Sequence, residues 1–514
     1  MVGRGVQIKD NICYICCLHL SLPGGLASGD LSTPQRAWAA IPVPPQLEGR
    51  MATHPENFSL TGELAEFITG TTPADLPDAV IDDARWRLMD TIGVALAGSR
   101  LDYAQAVNEV MAECGGPAEA TVIGSAQRLP APSAAFVNAA LAHGPDYDDT
   151  HSVSMVHISC LAVPAALAVA ERAGATGSSL MTAVVVAAET GLRIGAAAPN
   201  RFHNRGFHAT GVVGPFTAAA AAGCLLGLSP IQVTDALGLA GSQSSGLLQG
   251  LHDGSWVKRL HPAWSVQAGI ISALLAGRGF TGPSEVLEGS WGLYAVLLAG
   301  DDEGVHAADV VKDLGRQWLL PDTTYKPYSC GAWNHSSMDA VMTIMRSEGL
   351  SHEDVQRIDI TVPMECIPIV CEPRAAKVHP ASPYHMKFSL PYSVAIVAVL
   401  GQAGADDYTA DVLANPQIAQ LAARIHCHGD PDMAPENFPA RAEVTTRDSR
   451  RYTCAVPAQR GGPGNPNSAD DHRAKFLANA APTLGRGRAG KLADAIEDIW
   501  AAPDLNRLTS LLAT

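Results

Sequence analysis

Between about residues 58 and 320 the chain is a succession of segments built almost wholly from small and apolar residues. The stretches 133–141, 162–172, 180–197, 211–226 and 265–275 are dominated by Ala, Gly, Val, Leu and Ser. Side chains this small leave little to fill the space between two sheets, but they let helices approach closely. Only 5% of residues are aromatic, which also favours packed helices over a β-sandwich. Ile81, Ala84, Leu88, Ile92 and Ala95 recur at steps of three and four, marking one buried helix face. Ser229-Pro230-x-Gln232 predicts a helix start: Ser caps, Pro suits the first helical position and Gln closes a capping box. Residues 265–275 are so uniformly apolar that a central, fully surrounded helix is expected there.

A chain of 514 residues is too long for one core. Its character changes after about residue 322. Ile358, Ile360 and Val362 alternate with polar residues, which is strand spacing, and 442–456 reads as a hairpin around Asp448-Ser449. Residues 388–399 and 412–423 have helical patterns, 461–466 reads as a Gly/Pro linker, and helical spacing returns from Asp470. The predicted architecture is mainly α. A large, discontinuous all-helical domain (56–322 and the C-terminal helices 467–514) carries an inserted, smaller α+β lid domain (323–460). Residues 1–50 lack a sustained period and are read as a disordered extension or a start-site artefact, with Met51 as the functional start. Arg4 and residues 12–22 imitate a signal peptide only weakly. No run of about eighteen apolar residues is uninterrupted, so no membrane span is expected. Eleven cysteines, an odd count lying mostly in apolar runs, suit reduced thiols and a cytoplasmic protein. Cys13-x-x-Cys16-Cys17 lacks the second pair that a zinc site needs.

The formal net charge is −16, with 35 Lys and Arg and no basic stripe, which argues against nucleic-acid binding. Against this background the segment Asp146-Tyr147-Asp148-Asp149-Thr150-His151, with His143 before it and His157 after it, stands out. Its flanks are alanine-rich and apolar. Ionisable groups so placed are costly unless paired or used. Further candidates are His208 in Gly206-Phe207-His208 at a helix start, Lys258 and His261 just ahead of the apolar helix, and Lys326 with His335 at the suspected domain junction. Cations and imidazoles in this pattern suit carboxylate binding and proton transfer. A metal enzyme is the rival reading, with Asp146, Asp148, Asp149, His143 and His151 as ligands. A non-catalytic helical binding protein is the other.

Taken in order, these segments resemble the MmgE/PrpD family, which includes 2-methylcitrate dehydratase, cis-aconitate decarboxylase and iminodisuccinate epimerase. The resemblance runs from about Phe58 to the C-terminus. It rests on residues 142–151, on Gly206-Phe207-His208 with Gly214, on Lys258-x-x-His261, on Lys326 to His335 with Asp339, and on Lys387-Phe388-Ser389-Leu390-Pro391-Tyr392. It implies a helical domain with a smaller α+β lid, a homodimer, and an active site between the domains that uses no metal or organic cofactor. By motif position that site comprises Asp146, Thr150, His157, His208, Lys258, His261 and Lys326.

The implied chemistry removes or delivers a proton next to a carboxylate of a di- or tricarboxylate. Lys258, His261 and Lys326 would hold carboxylates and the enolate-like charge. His157 or His208 would move the proton, Asp146 would orient a histidine, and Thr150 would bond substrate or Asp146. The expected activity is a 2-methylcitrate dehydratase-like hydro-lyase. Epimerisation or decarboxylation of a related acid is the alternative. Two departures weigh against the decarboxylase. Its histidine five residues after the junction lysine is Gly331 here, and its tyrosine falls near Ile367 to Cys371, where this chain has none.

Overall fold

The computed structural model describes residues 59–300 and 303–513. The expectations for residues 1–50, the Cys13/Cys16/Cys17 group and Met51 lie outside the described residues. The described chain is mainly helical, as expected, with one two-stranded and one four-stranded sheet.

Four helices have no polar face and are buried along most of their length: Ala131–His143, Ser159–Ala173, Gly177–Ala196 and Ala209–Leu225. Val257–Ala276 packs across Ala209–Leu225 and Ala131–His143. Glycine makes that crossing possible. A Cβ on Gly269 would lie 2.2 Å from the Pro215 carbonyl oxygen, and one on Gly214 would lie 2.4 Å from Ser265 Cβ. At that approach Ser265 Oγ donates to the Gly211 carbonyl at 3.0 Å. Gly177–Ala196 is long and apolar enough to cross a membrane, but 89% of its apolar window is buried among the other helices, which is how a core helix reads. The Ser229 capping box forms as predicted.

The helix over 265–275 is not fully surrounded. Trp264, Ile271 and Leu275 are exposed along one stripe, while Ser265, Gly269 and Ser272 are buried on the other side. Uniform apolarity was misleading because this helix covers its neighbours with one face only. It also starts earlier than its apolar run: Lys258 and His261 lie in its first two turns and not in a loop before it.

Strand Val355–Pro363 runs parallel to Ile425–Asp430 on one side and antiparallel to Ala440–Thr446 on the other, and Arg451–Val456 completes the sheet. Ile358, Ile360 and Val362 are buried, as their alternation predicts, and Ser449 turns the hairpin with φ 66°. The helix predicted over 412–423 is two short pieces, Ala410–Leu413 and Pro416–Ala422, because Asn415-Pro416 ends one and caps the next. Residues 461–466 are not a free linker. Tyr325 N donates to the Gly461 carbonyl at 2.9 Å, and Gly461 N donates to Asn465 O at 2.8 Å.

Buried apolar side chains form two main clusters. One joins residues between Leu64 and Leu320 to residues between Phe476 and Leu512; the other spans Tyr328 to Val444. The seam between them is bridged by the segments around residues 145 and 387. Gly269→Ala should force the two central helices apart at a cost of about 1–3 kcal/mol, as overpacked cores do. A thermal melt reads this as a lowered midpoint, and an unchanged midpoint would show that the crossing is not tight.

Candidate active site

The site grows from the end of Ala131–His143. Gly144 ends the helix in a space that admits no side chain, since a Cβ there would lie 1.8 Å from Tyr103 Oη. Asp146 then adopts φ 54°, unusual for a residue with a side chain. Its backbone is held from the other cluster. Lys326 Nζ donates to Asp146 O at 3.1 Å, and both Ser329 Oγ (2.6 Å) and Lys387 Nζ (2.8 Å) donate to Pro145 O. Such strain persists where surroundings over-determine it, and it concentrates at working sites.

Three charged groups and a neutral imidazole form a chain along the site. Lys258 Nζ lies 2.9 Å from Asp146 Oδ1 and 3.0 Å from His143 Nε2; His143 Nδ1 lies 2.6 Å from Asp148 Oδ2. Lysine can only donate, so His143 accepts at Nε2 and donates from Nδ1, and the ring is neutral. Burial alone would raise both carboxyls. For Asp146 it is outweighed by Lys258, then Lys326 and His143; for Asp148 by His143 and His157. Both are held well below the usual carboxylate range.

The remaining imidazoles gather beside this chain. Ring centroids are 5.0 Å apart for His143 and His157, 5.4 Å for His143 and His208, 5.8 Å for His157 and His208, and 5.2 Å for His208 and His261. His157 precedes Ser159–Ala173 and donates from Nδ1 to the Asp149 carbonyl at 2.6 Å, which leaves its lone pair on Nε2. Thr150 Oγ1 is 3.2 Å from the same Nδ1. His208 is the residue before Ala209–Leu225; its Nδ1 is 3.1 Å from His261 Nδ1, and its buried Nε2 has no partner. Burial first, then the nearby lysines, lower His157 and His208 well below ordinary imidazole; burial and His143 bring His261 to about 4. These rings are neutral at pH 7.

The structure therefore brings Asp146, Thr150, His157, His208, Lys258, His261 and Lys326 into one cluster. Some expected contacts differ. Thr150 reaches His157 and not Asp146, and the carboxylate that holds a histidine is Asp148 and not Asp146. Asp149 is structural: Arg87 Nη1 donates to it at 3.0 Å and Ser159 Oγ at 2.5 Å. His151 bonds Ser154 Oγ at 2.8 Å. Asp146, Asp148 and Asp149 thus turn to three different partners and do not converge as one ligand set. Among the described residues the group with ligand atoms close enough for a metal is His143, Asp148 and Cys160, and there the His143–Asp148 contact is a hydrogen bond.

Sequence reasoning left out three members. His143 was legible as a helix-end histidine beside the acidic run. Lys387, whose Nζ also donates to Ser329 O at 2.7 Å, belongs to a recognised motif; burial brings its pKa to about 7. Tyr384, packed against Arg259, carried no sequence signal. A cleft of about 770 Å³ is lined by Tyr147, Asp339, Arg346 and Arg460, and by none of the lysines or imidazoles of this cluster. The lysines and His208 are closed over instead, Lys326 being 2% exposed and Lys258 7%.

The family model of the MmgE/PrpD N-terminal domain matches residues 62–305, and that of the MmgE/PrpD C-terminal domain matches residues 328–499. The chain is 26% identical to a cis-aconitate decarboxylase-like protein of Aspergillus oryzae, over 88% of this chain and 97% of that one. It is 29% identical to a cis-aconitate decarboxylase of Aspergillus terreus, over 56% of this chain and 60% of the relative. With the cis-aconitate decarboxylase of Homo sapiens the identity is 26%, over 88% and 94%. Two family models that together cover most of the chain, on a helical frame that gathers the family's motif residues at one place, make this chain a member of the MmgE/PrpD family.

Proposed function

We propose that the chain is a lyase acting on a tricarboxylate without metal or organic cofactor, and specifically a hydro-lyase that removes water from a 2-methylcitrate-like hydroxy acid. The observation that carries this is the convergence of Lys258 and Lys326 with neutral imidazoles in a buried cluster of a strongly acidic chain. The lysines attract substrate carboxylates and stabilise the charge that builds when an adjacent C–H proton leaves. His157, its Nδ1–H fixed on the Asp149 carbonyl, offers Nε2 as the base. Asp146 and Asp148 hold Lys258 and His143 in place. Because these groups are closed over, substrate entry requires the Tyr328–Val444 cluster to part from the helical one, the role of a lid.

The curated relatives are named for decarboxylation of cis-aconitate, which favours that reaction as a second reading. Against it stand Gly331 and the absence of tyrosine in Ile367–Cys371, here a short π-helix. Assays with 2-methylcitrate, cis-aconitate and iminodisuccinate separate the activities. The expected result is turnover of 2-methylcitrate that survives exhaustive chelation. Release of carbon dioxide from cis-aconitate with no dehydration would establish the second reading instead.

A base whose pKa lies below the ordinary 6.5 keeps its lone pair to lower pH than a free imidazole. The kcat/KM profile should therefore stay flat on going down through pH 6.5 and fall only below it. A fall centred at or above 6.5 would remove His157 as the base.

Besides the exposed stripe of Trp264, Ile271 and Leu275 on one helix, Phe280 and Trp291 later in the chain are both more than half exposed. We propose that a second copy of the chain covers the stripe. Sedimentation of the protein should give twice the chain mass, and glutamate at both Trp264 and Leu275 should give the monomer.

A further inference from the structure

Dehydration needs an acid as well as a base, and the groups described so far supply none. The site imidazoles are neutral and suited to accept a proton. Lys258 is committed to Asp146 and His143, Lys326 to Asp146 O and to the substrate carboxylate it is proposed to hold, Lys387 to Pro145 O, Ser329 O and Ser329 Oγ, and Thr150 to His157. Tyr384 is different. It sits in the short helix Pro383–Met386, whose start Ser382 caps, and its ring is fixed edge-on to Phe388 at 5.4 Å. The residue is 6% exposed, and its buried hydroxyl makes no well-formed hydrogen bond but interacts with the Asp146 carboxylate. A buried phenol whose one interaction is with a carboxylate already bonded to Lys258 is poorly satisfied, and such a group calls for a purpose.

Its surroundings define that purpose. The hydroxyl lies in the field of the Asp146 carboxylate, and the Arg259 guanidinium stands over the ring, 5.0 Å from its centroid. Arg259 is itself caged by Tyr103 at 4.7 Å and Trp256 at 5.5 Å, so its charge is held beside Tyr384. Burial, then Asp146, raise the phenol well above its usual value. Tyr384 therefore keeps its proton at neutral pH, while the guanidinium favours the phenolate at the moment the proton leaves.

Building on the hydro-lyase reading, we propose that Tyr384 is the catalytic acid that protonates the departing hydroxyl. His157 Nε2 takes the proton from the carbon next to a carboxylate. The electrons of that C–H bond form the C=C bond as the C–O bond breaks. The oxygen leaves with its electron pair and takes the Tyr384 Oη proton, departing as water. The phenolate then regains a proton from His157 through solvent, and no oxidant or co-reactant is needed.

The test uses two substrates on the full-length enzyme: 2-methylcitrate, and its analogue with fluorine in place of the departing hydroxyl. Fluoride leaves without needing a proton. Tyr384→Phe should slow water loss by about 10²–10⁴-fold, the usual contribution of a positioned acid. It should leave KM nearly unchanged and eliminate fluoride at close to the rate of the unaltered enzyme. Equal slowing with both substrates would make Tyr384 merely structural, and unimpaired water loss would remove it from the reaction; either result overturns the proposal and leaves the hydro-lyase reading standing. Should Tyr384→Phe not fold, Arg259→Gln keeps the phenol and should show the same selective loss with the hydroxy acid, a uniform loss or none overturning the proposal. If the unaltered enzyme eliminates neither water nor fluoride, the hydro-lyase reading itself falls, and the role of Tyr384 with it.

Discussion

The buried chain of charge from Asp148 through His143 and Lys258 to Asp146 is the constraint around which the rest of this molecule is arranged. Its two carboxylates and one ammonium are almost entirely removed from water. Ion pairs in that position are tolerable only with close geometry and full hydrogen bonding, and removing one partner from such a pair costs about 3–5 kcal/mol. Meeting that geometry demands that the first turns of Val257–Ala276 reach the loop after Ala131–His143. The glycine crossings at Gly214 and Gly269 bring the two parts close enough. The small-residue helices that dominate the sequence are thus a requirement of the site as much as of the core.

The same burial sorts the ionisable groups by role. On the proposed mechanism the neutral imidazoles beside lysines serve as bases, whereas a phenol pushed upward beside a carboxylate holds its proton. Lys258 is half spent on Asp146, a charged partner. Lys326 donates to a neutral carbonyl, so its charge remains for an anion. A chain with net charge −16 repels anions at long range, and its attraction for a tricarboxylate must therefore be local and short-ranged, confined to the buried lysines where water screens little.

Much of this was legible in the residues themselves, and what was not has physical reasons. Strand alternation in 355–363, the Ser229 capping box and the helix entry at Ser389 follow from local rules, and each forms as read. Lys258 and His261 were recognised as site residues but placed ahead of the apolar helix, because their polarity interrupts its pattern; they lie in its first two turns. The fully buried reading of residues 265–275 failed for a related reason, since apolarity records what a face can touch and not whether anything touches it. Within the acidic run, sequence could not divide the labour. Asp148 and Asp149 are neighbours in the chain, yet one faces His143 and the other Arg87, from a helix more than sixty residues earlier. Tyr384 was invisible because nothing local distinguishes it from a packed phenol; its contacts with Asp146 and Arg259 exist only in three dimensions.

Gly331 shows how a small difference bears on specificity. A Cβ there would meet Lys387 O at 3.4 Å and the Phe388 ring at 3.6 Å, ordinary contact distances, with no positive φ to exclude a side chain. Nothing in the backbone requires glycine at this point. The position lies beside Lys387, which holds the Pro145 end of the catalytic loop. A histidine here would add bulk and a further hydrogen-bonding group next to that anchor; glycine leaves space and no polar demand. On the proposed function, a small residue beside Lys387 suits a substrate that carries an extra alkyl group, where each buried methylene is worth roughly 0.8 kcal/mol. It suits poorly a reaction that depends on an imidazole at that point, so the same residue argues at once for the larger substrate and against decarboxylation.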